Sequence, residues 1–289
     1  MSQINVNVIA PLGYAGPALV GDNNSVKIIN SAGNGLFIDG GPSVSHSMKI
    51  TDYAAGVVGT NNTYFGWGCG VGLTLAGMSN TFFGNQAGYN VTGGSNNVLL
   101  GSSTGPNVST GLSNVMVGAG AGSGTTTASD NVFLGHLAGM TSTSGGNNIC
   151  IGMQSFTSTA SSSDSITLGN NLHSVLRCAV TSITSLSDAR DKKEVEDLNV
   201  GLDFIDGLRP VKFVWDDRNE DGKHDIADFG FIAQELKAAE DAVEMADVLK
   251  LVYDENPEKL EATYGKLIPI LVKAVQELSA EVKALKTNK

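Results

Sequence analysis

Asn97-Val-Leu-Leu-Gly101, Asn114-Val-Met-Val-Gly118, Asn131-Val-Phe-Leu-Gly135 and Asn148-Ile-Cys-Ile-Gly152 stand 17 residues apart, and their reading decides the fold. The frame extends upstream as Asn62-Thr-Tyr-Phe-Gly66 and Asn80-Thr-Phe-Phe-Gly84, one step of 18, and downstream as Ser165-Ile-Thr-Leu-Gly169. A second glycine follows four residues after the first at Gly70, Gly88, Gly105, Gly122 and Gly139; Phe156 takes its place in the sixth copy. Such a period is too short for a helical hairpin, and the Asn, Gly, Ser and Thr between the apolar triplets favour turns over helix. The expected unit is one coil of a parallel β-roll: a short strand, a glycine turn, a second short strand and another turn. Coils stacked by parallel pairing at ~4.8 Å per step make a rod ~34 Å long, with equivalent asparagines superposed as an amide ladder.

Alternate strand residues face opposite ways. The first and third residues after each Asn share a face (Val98 and Leu100, Val115 and Val117, Val132 and Leu134, Ile149 and Ile151). The second faces the other way and is Tyr64, Phe82, Leu99, Met116, Phe133, Cys150 and Thr167. Both faces are apolar in most copies. One fills the narrow coil interior, and the other needs a further layer that no nearby helix supplies. A second copy of the same rod is the simplest layer, so a parallel homo-oligomer with that face at its axis is expected; the alternative is a single solenoid with a wide core.

The chain of 289 residues is two unlike pieces. Residues 1–186 hold 31 of the 36 glycines, no Glu, and three basic against five acidic residues, net −2. Residues 187–289 hold 15 basic against 24 acidic, net −9. This break marks two domains with different tasks. The expected division is 1–59, an N-terminal β region suited to attachment; 60–172, the repeat shaft; 173–186, a connector; and 187–289, a separate domain. Without a basic stripe no nucleic-acid partner is expected. No apolar run reaches the ~20 residues that span a bilayer, so no membrane insertion is expected, and the first residues carry no secretory signal pattern. Cys69, Cys150 and Cys178 read as reduced, buried small side chains. The histidines do not cluster with them, so no zinc site is expected.

Beyond Ser187 the composition is that of an α+β domain. Asn199 is positioned to cap a short helix over VGLDFIDGL, which stops before Arg209-Pro210. VKFVW (211–215), FGFIA (229–233) and VLKLVYD (248–254) read as strands, with a helix from about Gln234. From about Ile268 a last helix, with Pro269 in its first turn, carries Ile268, Val275 and Val282 at one heptad position and Leu271, Leu278 and Leu285 at the other. That coiled-coil-like seam is expected to self-associate. β-branched residues over Leu favour two strands, but two and a half heptads do not set the count for an attached rod.

SLSDARDKKEVEDL (185–198), LRPVKFVW (208–215), GFIAQEL (230–236) and YGKLIPILVKAVQEL (264–278) resemble, in this order, the C-terminal intramolecular chaperone domain of bacteriophage tailspikes and tail fibres, a family also classed as a self-cleaving serine peptidase. The glycine-rich coils resemble those of phage fibres and, more loosely, trimeric adhesin heads. The resemblance implies a homotrimeric virion fibre or spike, assembled in the host cytoplasm, with other tail or baseplate proteins and a host surface receptor or polysaccharide as partners. It implies that the domain registers three chains and then cuts itself off. The family motif Ser-Asp-x-Arg-x-Lys falls on Ser187, Asp188, Arg190 and Lys192. Ser187 is then the nucleophile, Lys192 its base, and Leu186–Ser187 the bond cut. A lysine serves as base only when desolvation or a nearby cation lowers its pKa, and Arg190 and Lys193 are the candidate cations. Asp191 stands where the family is often apolar; a carboxylate beside Lys192 favours its charged form and slows cleavage.

No cofactor is required by this chemistry. Asp217, Asn219, Asp221, Asp225 and Asp228, with Gly222, have the spacing of a calcium loop, but they lie between strands rather than helices, and an acidic hairpin tip accounts for them. Three alternatives stand beside the self-cleaving fibre: a polysaccharide-degrading tailspike, a structural fibre that keeps its chaperone, and a bacterial surface adhesin. Glycoside hydrolysis usually needs two carboxylates, and the first part offers only Asp22, Asp39, Asp52, Asp130 and Asp164. The missing signal and anchor count against an adhesin.

Overall fold

The structure, a computed structural model, describes residues 61–72, 77–179, 183–218 and 222–287, together with the backbone of five upstream strands. It divides into two units, Met1–Asn170 and Asn171–Lys289.

Unit 1 is built on a 12-stranded sheet in which every strand lies beside its sequence neighbours. β1 (Val8–Ile9), β2 (Ala18–Asp22), β3 (Ser25–Ile29), β4 (Gly35–Asp39) and β5 (Ser47–Thr51) form an antiparallel meander. From β5 onward pairing is parallel. β6 (Thr63–Phe65), β7 (Thr81–Phe83), β8 (Val98–Leu100), β9 (Val115–Val117), β10 (Val132–Leu134), β11 (Ile149–Ile151) and β12 (Ile166–Leu168) are the apolar triplets of the repeat, stacked in register. This is the parallel solenoid expected from the period.

One detail differs. Each described coil has one three-residue strand, and the second expected strand is a run of turns. Neighbouring coils still bond there, with Gly105, Gly122 and Gly139 N–H donating to Ala121, Ala138 and Ser155 C=O at 2.8–2.9 Å. Left-handed backbone at Gly122 (φ 60) and Gly139 (φ 63) breaks the pleat, so these bonds do not extend into a ladder.

The Asn and the second triplet residue share strand parity, and both point inward. Tyr64, Phe82, Leu99, Met116, Phe133 and Cys150 are buried and make the core with Ala87, Ala121 and Ala138. The first and third residues lie outside: Phe83 is 52% exposed, Leu134 43% and Leu168 58%. Phe65 and Phe83 stack at 4.5 Å with planes 5° apart on that outer face.

The amide ladder is complete at its middle rungs. Nδ2 of Asn80, Asn97, Asn114, Asn131 and Asn148 each donates to Oδ1 of the asparagine one coil before, at 3.0–3.2 Å. The same Nδ2 donates to a backbone carbonyl 14 residues ahead, Gly94 for Asn80 through Ser162 for Asn148. Each Oδ1 also accepts the next rung's main-chain N–H, as Asn114 accepts from Asn131 at 3.1 Å. Ser165 ends the series by donating its Oγ and N–H to Asn148 Oδ1. A buried primary amide thus has both donors and its acceptor used.

The two glycines have separate reasons. A Cβ on Gly101 (φ 137) would stand 2.7 Å from Gly118 O of the next coil, so the first glycine permits close stacking. A Cβ on Gly88 (φ 61) would stand 2.6 Å from the Phe82 ring, so the second makes room for the inner side chain. In the sixth copy the inner residue is the small Cys150, and Phe156 replaces that glycine. Gly88→Ala should therefore cost ~1–3 kcal/mol more in the parent than in a Phe82→Ala background, read as a double-mutant cycle on denaturation. Equal costs in both backgrounds would mean that φ alone demands the glycine.

Unit 2 contains α1 (Leu202–Asp206), the antiparallel hairpin β13 (Val211–Asp216) and β14 (His224–Gly230), α2 (Ala233–Ala242), α3 (Ala246–Leu249), the pair β15 (Val252–Tyr253) and β16 (Glu261–Ala262), and α4 (Leu267–Thr287). Its core is Val200, Phe204, Leu249, Leu251, Leu267 and Ile270. Four expectations are corrected. The second hairpin strand is 224–230, because it pairs residue by residue with β13 and ends where Phe231 turns into α2. The segment 248–254 is half helix, since left-handed Lys250 (φ 47) stops α3 before the strand begins. Asn199 does not cap α1: Gly201 is the cap residue, and Glu277 of α4 accepts the Leu202 N–H at 2.7 Å. Cys178 is exposed, whereas Cys69 and Cys150 are buried, because it lies beyond the coils in the connector.

α4 has two faces. Leu267, Ile270 and Ala274 are buried. The heptad stripe Ile268, Leu271, Val275, Leu278, Val282 and Leu285 is 40–69% exposed. Among the described residues no helix is long and apolar enough to cross a membrane.

Candidate processing site at the domain boundary

Leu186 is fully exposed, and Ser187 begins a segment that is also exposed. Residues Ala189–Asp191 make a single 3-10 turn with no buried residue. Asp188 starts it: its Oδ1 accepts the Arg190 N–H at 2.9 Å, and its carbonyl accepts the Asp191 N–H at 3.2 Å. Lys192 N–H closes the turn on Ala189 O at 3.2 Å, and the chain returns to extended backbone there. The turn brings the lysine back over the serine: Lys192 Nζ donates to Ser187 Oγ at 2.6 Å and to Ser187 O at 3.2 Å.

Both candidate cations have carboxylate partners. Arg190 Nε lies 3.0 and 3.1 Å from the two Asp188 oxygens, and Lys193 Nζ lies 3.8 Å from Glu194. The Arg190 side chain, and then its main-chain N–H, hold the Asp188 carboxyl below the usual carboxylate range. Asp191 makes no ion pair among the described residues. A serine hydroxyl 2.6 Å from an amine is in reach for proton transfer once that amine is neutral.

The other sequence candidates are held by other contacts. Asn219 and Asp221 of the acidic loop fall outside the described residues. At its base Asp217 N–H donates to Lys223 O at 2.9 Å, and Asp228 accepts Trp215 Nε1 at 3.1 Å and the Phe229 N–H at 2.9 Å. Among the described residues no group of three His, Cys, Asp or Glu side chains is placed to hold a metal ion. Of the shaft carboxylates, Asp52 is outside the described residues and only the backbone of Asp22 and Asp39 is described. Asp130 and Asp164 are exposed at turns, and Asp164 accepts Asn147 Nδ2 at 2.7 Å. Two contacts were not anticipated: the half-buried one of Glu277 on Leu202, and the buried Glu240 Oε2, which accepts the Leu251 N–H at 2.7 Å. They join residues 75 and 11 positions apart, beyond the reach of a helix or turn pattern.

No curated protein and no solved structure matches the chain. Residues 187–248 match one family model, Peptidase_S74. The second unit therefore carries a domain similar to the chaperone of endosialidase, and the match begins at Ser187, the residue whose hydroxyl receives the Lys192 amine.

Proposed function

We propose that this chain is the subunit of a homotrimeric phage tail fibre or spike that contacts the host surface, and that its second unit registers three chains and then cuts itself off at Leu186–Ser187. The carrying observation is the chaperone match that starts where the repeat solenoid and its connector have ended. Two exposed apolar surfaces support it: the outer columns of β6–β12 and the heptad stripe of α4. Three chains wound together fold slowly, because their contacts are non-local, and a registration domain that follows the shaft in sequence answers that difficulty. The fibre belongs to the virion, attached to other tail proteins, with a host receptor or surface polysaccharide at its exposed part.

In the cleavage, Ser187 Oγ attacks the Leu186 carbonyl carbon while its proton passes to neutral Lys192. The Leu186–Ser187 C–N bond breaks, and the serine nitrogen takes a proton to become the free α-amine. Leu186 is left as an ester on Ser187 Oγ. Water then hydrolyses that ester, giving a Leu186 carboxylate and the regenerated hydroxyl.

Light scattering on the purified full chain tests the assembly: three chains per particle are expected, and a stable, well-folded monomer would sink the reading. Leu271→Asp with Leu278→Asp places two charges in the α4 stripe and leaves Leu267, Ile270 and Ala274 untouched. This variant should give at least about tenfold less trimer on refolding, since a seam tolerates buried unpaired charge poorly. Parent-like yield would show that the stripe takes no part in assembly.

A further inference from the structure

We propose that Asp188 and Arg190 form a positioning clamp, which closes the turn that seats Lys192 Nζ on Ser187 Oγ. The inference rests on the self-cleavage reading and adds two working residues to it.

The lysine stands five positions after the serine, and an extended chain of that length spans ~17 Å. Contact at 2.6 Å therefore requires a turn. That turn is only Ala189–Asp191, and it buries nothing, so packing does not hold it. What holds it is local. The Asp188 carboxylate accepts the Arg190 N–H, which is the action of a helix N-cap, and the Arg190 Nε bridges both oxygens of the same carboxylate. One side chain thus fixes the backbone at the start of the turn, while the other fixes the carboxylate that does so. Lys192 follows in extended conformation (φ −123, ψ 144), with its N–H tied to Ala189 O. Asp188 and Arg190 touch neither the hydroxyl nor the bond to be cut in any contact above, so their part is geometric. The clamp also occupies Arg190 with its own carboxylate.

The test is the rate of chain cleavage across a pH series, followed by intact mass on the full chain, with trimer content measured alongside. Asp188→Ala removes cap and bridge and should slow cleavage about tenfold or more at every pH. Asp188→Asn keeps the capping oxygen but loses the bridge to Arg190; it should fall between the parent and Asp188→Ala, with an unshifted pH profile. Arg190→Lys keeps the charge without the planar fork and should fall between parent and Arg190→Ala. If instead Asp188→Asn moves the pH profile, Asp188 acts on the charge of Lys192 and the clamp is wrong. If Asp188→Ala cuts at the parent rate, the clamp is likewise overturned while the peptidase stands. A parent chain that stays whole throughout the series overturns the peptidase and the clamp together. Equal trimer content in all variants is required, because a slower cut with lost trimer would mark Asp188 as structural and overturn the clamp.

Discussion

A full chain carrying Ser187→Ala is expected to stay whole where the parent separates into two pieces, with cleavage at least about 10³-fold slower, because alanine has no hydroxyl to attack the bond. The trimer should still form, since the serine is exposed and contributes nothing to the unit 2 core. Lys192→Met should be nearly as severe. The parent rate should climb with pH, since only the neutral amine can take the serine proton. The ester step gives a sharper signature than loss of activity. Hydroxylamine added to the parent should release a first piece ending in a Leu186 hydroxamate, whereas direct attack of water on the peptide bond leaves only the carboxylate. A parent cut elsewhere, or a Ser187→Ala chain cut at the parent rate, would remove Ser187 from its role. A parent that never cuts would leave an uncleaved fibre with its chaperone attached.

The second large effect lies in the shaft. Asn114 is fully buried; its Nδ2 serves Asn97 Oδ1 and Ala128 O, and its Oδ1 serves the Asn131 N–H and Nδ2. Asn114→Ala leaves Ala128 O and the Asn131 N–H without that partner, at about 1–3 kcal/mol each, so a loss of roughly 2–6 kcal/mol is expected. That is a large share of the ~5–15 kcal/mol that holds an ordinary domain. Asn90 is the matched control: its Nδ2 meets Asn107 Oδ1 at 3.1 Å one coil on, but on the exposed surface. Asn90→Ala should stay within ~0.5 kcal/mol. Chemical denaturation of both variants, with hydrogen exchange read coil by coil, would show the difference. Equal stabilities would mean that water repairs the interior ladder and that the repeated Asn is a turn residue only.

Much of the shaft was legible because a repeat is a one-dimensional property. Asn62 through Asn148 recur at a near-constant step, and identical residues at a constant step must superpose when coils stack. Register, parallel pairing and the amide ladder all follow from that count. The Ser187–Lys192 pair was legible in a weaker sense: the motif named the residues, but not the turn between them or the carboxylates that occupy Arg190 and Lys193. In unit 2 the first hairpin strand and the α4 stripe were readable from their spacing, but the bounds of the second hairpin strand were not. The end of α3 at Lys250 and the cap of α1 by Glu277 were not, since the second depends on a residue 75 positions away.

Only the tertiary structure chose between the two apolar faces of each triplet. Alternation says that Leu99 opposes Val98 and Leu100, but both sets are greasy enough to be inside. The choice is made where each coil closes on itself. The second glycine must come over the inner side chain, as Gly88 comes over the Phe82 ring, and the Asn on the same parity must find carbonyls 14 residues ahead. Those contacts are non-local, so spacing along the chain cannot rank them. Once they are made, Phe82 and Phe133 belong to the core, while Phe83 and Leu134 are left facing outward.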